Sequence, residues 1–262
     1  MSNNGPTGLT VVALVWREIE HIGPCFRSLQ PLLSRTGAET LIVLDDEADE
    51  ATEAAARAAA DRVVRSRFVN YSSQRNRALE LSETNWVFFI DIDERCTPAL
   101  AREIAETLTT GDCAGYRVPR RNVMFAREVR HTGWWPDYQI RLLRRAGARY
   151  DEAREVHEVP VLSGPLCDLR EPLIHLNYRT WGQFLRKQRA YAPLEAAALY
   201  AEGIRARPRS LFGQPLRELK RRLVDYHGYR DGLLGLALSL AMAAYRADVY
   251  RRLWLLQRSK RT

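Results

Sequence analysis

Residues 86–94 read WVFFIDIDE, five apolar residues that run into two aspartates and a glutamate. A run without polar alternation, carrying aromatic and β-branched side chains, predicts a strand buried on both faces, as in a parallel sheet covered by helices. Its acidic residues then fall at the carboxyl end. Two upstream runs have the same character: TVVALVW over Thr10–Trp16, and TLIVL over Thr40–Leu44, which ends on Asp45 and Asp46. The stretch after Trp16 through Leu33, then Ala48–Ala60 and Tyr71–Glu83, are helical in pattern, and Arg62–Arg65 predicts a short third strand. Such alternation predicts an α/β fold with a doubly wound sheet. Ligands of these sheets bind at the carboxyl ends of the strands, so Asp45, Asp46, Asp91 and Asp93 are expected on one edge.

Past Pro98 a helix to Leu108 is predicted. The strand-like pieces GYRVPRR, YQIRLLRR and PLIHLNY then complete the sheet as a mixed one. From Trp181 the pattern is helical, with breaks near Pro208–Pro215 and at Gly228. The expected organisation is a catalytic domain over residues 1–180, with halves at 9–100 and 101–180, and a basic amphipathic helical tail over 181–262.

The tail holds 17 of the chain's 40 Lys and Arg but 6 of its 32 Asp and Glu, so the net charge of +8 is concentrated there. A basic tail on a near-neutral body suits an anionic surface, either lipid head groups or nucleic acid. No nucleic-acid motif is recognisable, and the acidic edge would repel phosphates, so no nucleic acid is expected as partner. The run GLLGLALSLAMAAY over Gly232–Tyr245 has 14 residues, short of the roughly 20 that span a bilayer. Its arginine flanks predict either an interfacial helix on an anionic membrane or a helix packed in the core or in a homodimer. Cys25, Cys96, Cys113 and Cys167 have no C-x-x-C spacing, which suggests neither a zinc site nor a disulfide framework. No basic start followed by an apolar segment opens the chain. A cytoplasmic protein, peripheral at the inner face of the cytoplasmic membrane, is expected.

Two aspartates spaced as in Asp91-Ile92-Asp93 suit a hard cation, Mg2+ or Mn2+, that bridges diphosphate oxygens. The alternative is that these carboxylates cap the helix near Pro98 or solvate a loop.

The order of motifs adds weight to the cation. An acidic pair after the second strand, then Gln74-Arg75-Asn76-Arg77-Ala78-Leu79, then a strand ending in Asp91-Ile92-Asp93-Glu94, resembles glycosyltransferase family 2, the large inverting GT-A family. In particular it resembles the branch of lipopolysaccharide-core β-glucosyltransferases. Further matches are Trp134–Leu142 (WWPDYQIRL), Val156-His157-Glu158 and His175–Tyr178. Two places depart from the family pattern: Trp16-Arg17-Glu18 replaces an aromatic-Asn-Glu-Glu turn, and the loop after Asp45 lacks the usual Gly and Ser.

The resemblance implies a GT-A catalytic domain with a Rossmann-like nucleotide-binding half and an acceptor half. It implies a metal-dependent inverting transferase that takes a sugar from a nucleotide diphosphate sugar, most often UDP-linked, to a glycan, lipid-linked or peptide acceptor. Nucleotide-sugar contacts fall to Val15, Glu18, Asp45, Gln74, Arg75, Asp91 and Ile92, and Mn2+ or Mg2+ to Asp93 and His157. Asp137 is the catalytic base, with Glu158 the other carboxylate for that role, and Trp134, Trp135 and Glu158 lie on the acceptor side. His157 is equally readable as a structural histidine; the lesser alternative for Asp137 is a turn residue after proline, and Arg141, Arg144 and Arg145 either meet diphosphate or coat an exposed strand face. The competing function is a non-catalytic basic protein, binding nucleic acid or membrane on a GT-A-like scaffold.

Overall fold

The structure is a computed structural model that describes residues 8–152 and 159–259. His157 and Glu158 therefore lie outside the described residues. By packing, the chain forms two compact units: residues up to Arg120 with Asp137–His175, and Arg121–Pro136 with Leu176 onward.

In the first unit β1 (Leu9–Val15), β2 (Glu39–Leu44), β3 (Arg62–Arg65) and β4 (Trp86–Phe89) are parallel, with β1 between β2 and β4 and β3 outermost. Helices α1 (Ile19–Thr36), α2 (Glu50–Ala59) and α3 (Tyr71–Leu81) connect them. Two core clusters explain the unbroken apolar runs. Val11, Ala13, Ile42, Leu44 and Phe88 join one with α1 and α4 (Pro98–Thr110), whereas Val12, Leu41, Val43, Val87 and Phe89 join the other with α3. Successive strand residues point to opposite faces, and here both faces are covered.

After β4 the sheet becomes mixed. β8 (Asp137–Arg144) pairs antiparallel with β4, Phe88 opposite Leu142, and with β6 (Gly115–Met124), Arg120 opposite Asp137. β12 (Leu173–Tyr178) pairs antiparallel with β5 (Glu94–Cys96), which puts His175 opposite Glu94. β9 (Arg149–Tyr150) and β10 (Pro160–Val161) pair antiparallel with each other, and β11 (Leu166–Asp168) pairs parallel with β6. That pairing brings Cys113 and Cys167 together as a disulfide, against the expectation of none. The two are 54 residues apart, and only strand adjacency, which spacing cannot show, makes them neighbours.

The elements form nearly where the sequence places them, with local chemistry at each start. Asp49 caps α2 by accepting from the Thr52 N–H, Asn70 and Ser73 form a capping box on α3, and Thr97 caps α4 ahead of Pro98. Because Thr97 caps α4, the Asp91–Glu94 carboxylates are not used for that.

The second unit packs a hairpin, the end of β6 against β7 (Arg127–Val129), with α5 (Trp181–Ala201), α6 (Ser210–Lys220) and α7 (Gly232–Ser259). The break expected near Pro208–Pro215 falls at its start: α5 ends at Ala201 and α6 begins at Ser210, with Pro208 between them. Pro215 lies inside α6, which continues into a π-helical stretch over Arg221–Asp225 before the second expected break at Gly228. The apolar run is part of a longer helix: Gly228–Ser259 is long and apolar enough to cross a membrane by length and composition, a test that core helices also pass. Leu238, Val249 and Leu253 of α7 are fully buried against Phe184, Ala192 and Ala196 of α5 and their neighbours. On its other side Leu233, Leu236 and Leu240 are exposed.

Candidate active site

The parallel strands β1, β2 and β3 open at their carboxyl ends into a cleft of about 670 Å³. It is lined by Val15 and Trp16 after β1, Asp45, Asp46 and Glu47 after β2, Arg67 and Phe68 after β3, and by Glu18, Tyr71 and Gln74 at helix starts. Of the expected donor contacts, Val15, Glu18, Asp45 and Gln74 meet here. Asp45 is buried, and its Oδ1 accepts the Glu47 N–H at 2.7 Å, which fixes the turn without the Gly and Ser that the family pattern carries. Gln74 donates to the carbonyls of Ser66 and Arg67 at 3.0 and 2.9 Å, and its Oε1 is a buried acceptor without a partner. A ligand N–H or O–H would satisfy it.

The sequence reading missed Arg67, Phe68 and Tyr71. Phe68 and Tyr71 meet edge to face at 5.1 Å and stay 45% and 56% exposed, as does Trp16 at 51%. Three exposed aromatic rings around an acidic cleft are a stacking surface for a planar base. An aromatic-bearing turn just before the Gln74–Leu79 run was the available signal.

Next to the cleft, joined to it through consecutive Gln74 and Arg75, lies a charged cluster. Arg75 sits over the rings of Phe89 and Tyr150, at 5.1 and 5.6 Å, and 4.0 Å from Asp91 Oδ1. Arg141, expected to meet diphosphate or to coat an exposed strand, does not lie on an exposed face. It is buried and donates to both Asp91 oxygens and, at 2.6 Å, to Glu94 Oε1. Arg120 reaches Glu94 Oε1 at 3.4 Å and Asp137 Oδ2 at 2.6 and 3.0 Å, while Gln139 donates to Asp137 Oδ1 at 2.8 Å. Three guanidiniums thus face three carboxylates.

Partial desolvation penalises the Asp91 carboxylate, but the charges of Arg141, Arg75 and Arg120 outweigh that and hold it well below the usual carboxylate range. Burial pushes the Glu94 carboxyl up, against the pull of Arg141. Burial also works against the Arg141 cation, yet Asp91 and Glu94 raise its proton affinity above the ordinary value.

Asp93 stands apart from this balanced array. Its side chain is 37% exposed and faces His175 Nε2 at 3.3 Å. Among the described residues no cluster of three or more His, Cys, Asp or Glu forms a preassembled metal site. A carboxylate oxygen beside an imidazole nitrogen nevertheless fits the donor set of Mn2+ or Mg2+, ions that take one or two protein ligands and complete their shell with phosphate oxygens and water. Ile92 is a core residue whose carbonyl accepts from Arg95 at 2.8 Å. In the second unit Trp134 is held from both ends, its carbonyl accepting from Asn122 at 3.0 Å and its ring 5.6 Å from the Arg222 guanidinium; Trp135 is 38% exposed.

The model of the family described as Glycosyl transferase family 2 matches residues 10–163, more than half of the chain. The chain belongs to this family. It is a glycosyltransferase acting from a nucleotide sugar, an enzyme and not a non-catalytic binder, and its mixed α/β sheet followed by C-terminal helices is the architecture expected from the sequence. A curated relative, the lipopolysaccharide core biosynthesis glycosyltransferase LpsC of Rhizobium meliloti (strain 1021), is 28% identical, covering 93% of this chain and 92% of its own. Among solved structures, glucosyl-3-phosphoglycerate synthase from Mycobacterium tuberculosis, in complex with Mn2+, UDP and phosphoglyceric acid, aligns over 75% of this chain and 78% of that one at 16% identity, TM-score 0.47. S. aureus TarS aligns over 72% and 39%, at 13% identity and TM-score 0.45.

Proposed function

We propose that this glycosyltransferase is metal-dependent and inverting, takes its sugar from a UDP-linked donor, and passes it to a lipid-linked core glycan. The observation that carries the reading is the cleft at the β1–β3 strand ends. An acidic residue at its floor (Asp45), an orphaned acceptor (Gln74 Oε1) and three aromatic rings at its rim are suited to one nucleoside. Arg75 lies one residue beyond, where the diphosphate would extend.

Asp93 and His175 would hold the divalent ion, which when bound neutralises charge developing on the diphosphate leaving group. Asp91, kept ionised and clamped by Arg141, orients the donor beside them. Asp137 is the base: as the acceptor oxygen bonds the anomeric carbon and the bond to the diphosphate oxygen breaks, the acceptor proton passes to the Asp137 carboxylate. Trp134, Trp135 and Glu158 are assigned to the acceptor side, and His157 to the metal or phosphate. A functional division at residue 180, with catalytic residues ahead of it and a helical tail behind, belongs to the same proposal, while by packing Arg121–Pro136 goes with the tail.

The tail's partner is an anionic membrane. Leu233, Leu236 and Leu240 recur on one exposed side of α7, Phe212 and Leu216 are exposed on α6, and Arg209, Arg217, Arg221 and Arg230 accompany them. This combination of apolar anchors and cationic flanks suits lipid head groups, and it supports a position at the cytoplasmic face of the membrane, where a nucleotide-sugar donor is available. The relative's role in lipopolysaccharide core biosynthesis supports this choice of acceptor.

The test is release of UDP from a panel of UDP-sugars by the purified protein with Mn2+. One sugar should be turned over, and EDTA should stop it; turnover that persists undiminished in EDTA contradicts the metal reading, and turnover of another nucleotide's sugars alone contradicts uridine.

A further inference from the structure

Between the donor-side aspartate and the assigned base runs an unbroken chain of charges within the first unit. Arg141 joins Asp91 to Glu94, Glu94 Oε1 is shared by Arg141 at 2.6 Å and Arg120 at 3.4 Å, and Arg120 grips Asp137 Oδ2 through two nitrogens. Glu94 Oε2 also accepts the Asp91 N–H at 3.0 Å, which ties the link to the backbone of the D-x-D turn. Glu94 is fully buried and Arg120 16% exposed.

Ion pairs on an open surface constrain little. Enclosed charges are different, because taking them out of water is costly and their bonding geometry must be good to recover it. Apolar residues would fill this space in a sheet at less cost. What the charges supply instead is direction: a guanidinium donating to one carboxylate while held by another has few orientations left.

We propose that Glu94 and Arg120 are positioning residues that set the place of the Asp137 carboxylate relative to Asp91 and hence to the donor's anomeric carbon. The inference rests on Asp137 being the base. Arg120 comes from β6, Asp137 from β8 and Glu94 from β5, so three strands must be in register for the carboxylate to be in place. Gln139, two residues along β8, holds the other oxygen at 2.8 Å.

The experiment compares Arg120→Met, Asp137→Asn and their double variant in the full-length protein. The reaction is hydrolysis of whichever UDP-sugar of a glucose, galactose, N-acetylglucosamine and glucuronic acid panel the wild type turns over fastest, with UDP binding followed by thermal shift in Mn2+. A base displaced by about 1 Å loses on the order of a hundredfold in rate. Arg120→Met should therefore lower kcat by roughly ten- to a hundredfold while KM for the donor and the UDP-induced shift stay as in the wild type. The double variant should be no slower than Asp137→Asn alone, because Arg120 acts only through that carboxylate.

Arg120→Lys, which keeps a cation beside Glu94 but not the two-nitrogen grip, should recover part of the rate; it carries the test if Arg120→Met does not fold. Wild-type kcat in either Arg120 variant, or losses that multiply in the double variant, overturn the proposal while leaving Asp137 as base. Wild-type kcat in Asp137→Asn removes the base assignment, and a wild type that hydrolyses no UDP-sugar removes the donor reading; in both cases the proposal falls with it.

Discussion

Replacing Arg141 by Met should destabilise the first unit more than any substitution at its surface. Arg141 is buried and donates to Asp91 and Glu94 together, and Met fills similar space with no donor. Glu94, fully buried, would keep Arg120 at 3.4 Å and one backbone N–H at 3.0 Å; Asp91, 42% exposed on its side chain, would keep Arg75 at 4.0 Å and solvent. The cost is thus set by Glu94, and removing one partner of a buried pair typically costs about 3–5 kcal/mol. For a unit of this size each kcal/mol lowers Tm by about 2–4 °C, so a fall of roughly 6–20 °C is expected. Thermal unfolding followed by near-ultraviolet circular dichroism measures it. Adding Glu94→Gln to Arg141→Met should recover part of the loss, since the stranded charge is gone. A Tm within about 2 °C of the wild type, or a double variant lower still by the sum of the single effects, would refute this account of the cluster.

Asp137→Asn should lower turnover on the order of a hundredfold or more with donor binding nearly unchanged; steady-state kinetics on the panel donor decides it, and near-wild-type turnover would move the search to Glu158. Because the folded Asp91 carboxyl is held below its ordinary value, its stabilisation is present above the usual aspartate pKa of about 3.9 and is lost as pH falls below that. Acid unfolding of Asp91→Asn should accordingly be shallower than that of the wild type, and parallel curves would count against the ion pair. Leu233→Asp with Leu240→Asp should release the protein from vesicles containing anionic lipid without changing Tm, whereas equal vesicle binding would exclude this face. Deleting α7 outright is the poorer test, since Leu238, Val249 and Leu253 belong to the core. Thiol titration in denaturant without reductant should find two free cysteines, Cys25 and Cys96; four would show that the Cys113–Cys167 bond is not formed.

The parallel half was legible because its strands are buried on both faces, so each reads as an unbroken apolar run ending where the chain emerges at the cleft. Asp45 and Gln74 follow from that pattern plus motif order. Arg141 could not be placed the same way. In YQIRLLRR it looks like one of three arginines on a strand, and it is buried only because β8 runs antiparallel beside β4, a pairing across about fifty residues. Glu94, Arg120 and the Cys113–Cys167 bond escaped for the same reason, since each depends on which strands are neighbours. Arg67 and Phe68 sit in a connecting loop with no periodicity, where only the aromatic content hinted at a role.

In the proposed function Asp93 holds a divalent ion against the diphosphate of a uridine nucleotide seated in the β1–β3 cleft. UDP titrated calorimetrically into the wild type and Asp93→Ala, each with saturating Mn2+ and with EDTA, reads that role out as an affinity. Binding by the wild type should weaken at least tenfold, about 1.4 kcal/mol, in EDTA, and binding by Asp93→Ala should be equally weak in both. UDP affinity for Asp93→Ala equal to the wild type's in Mn2+ would contradict that role.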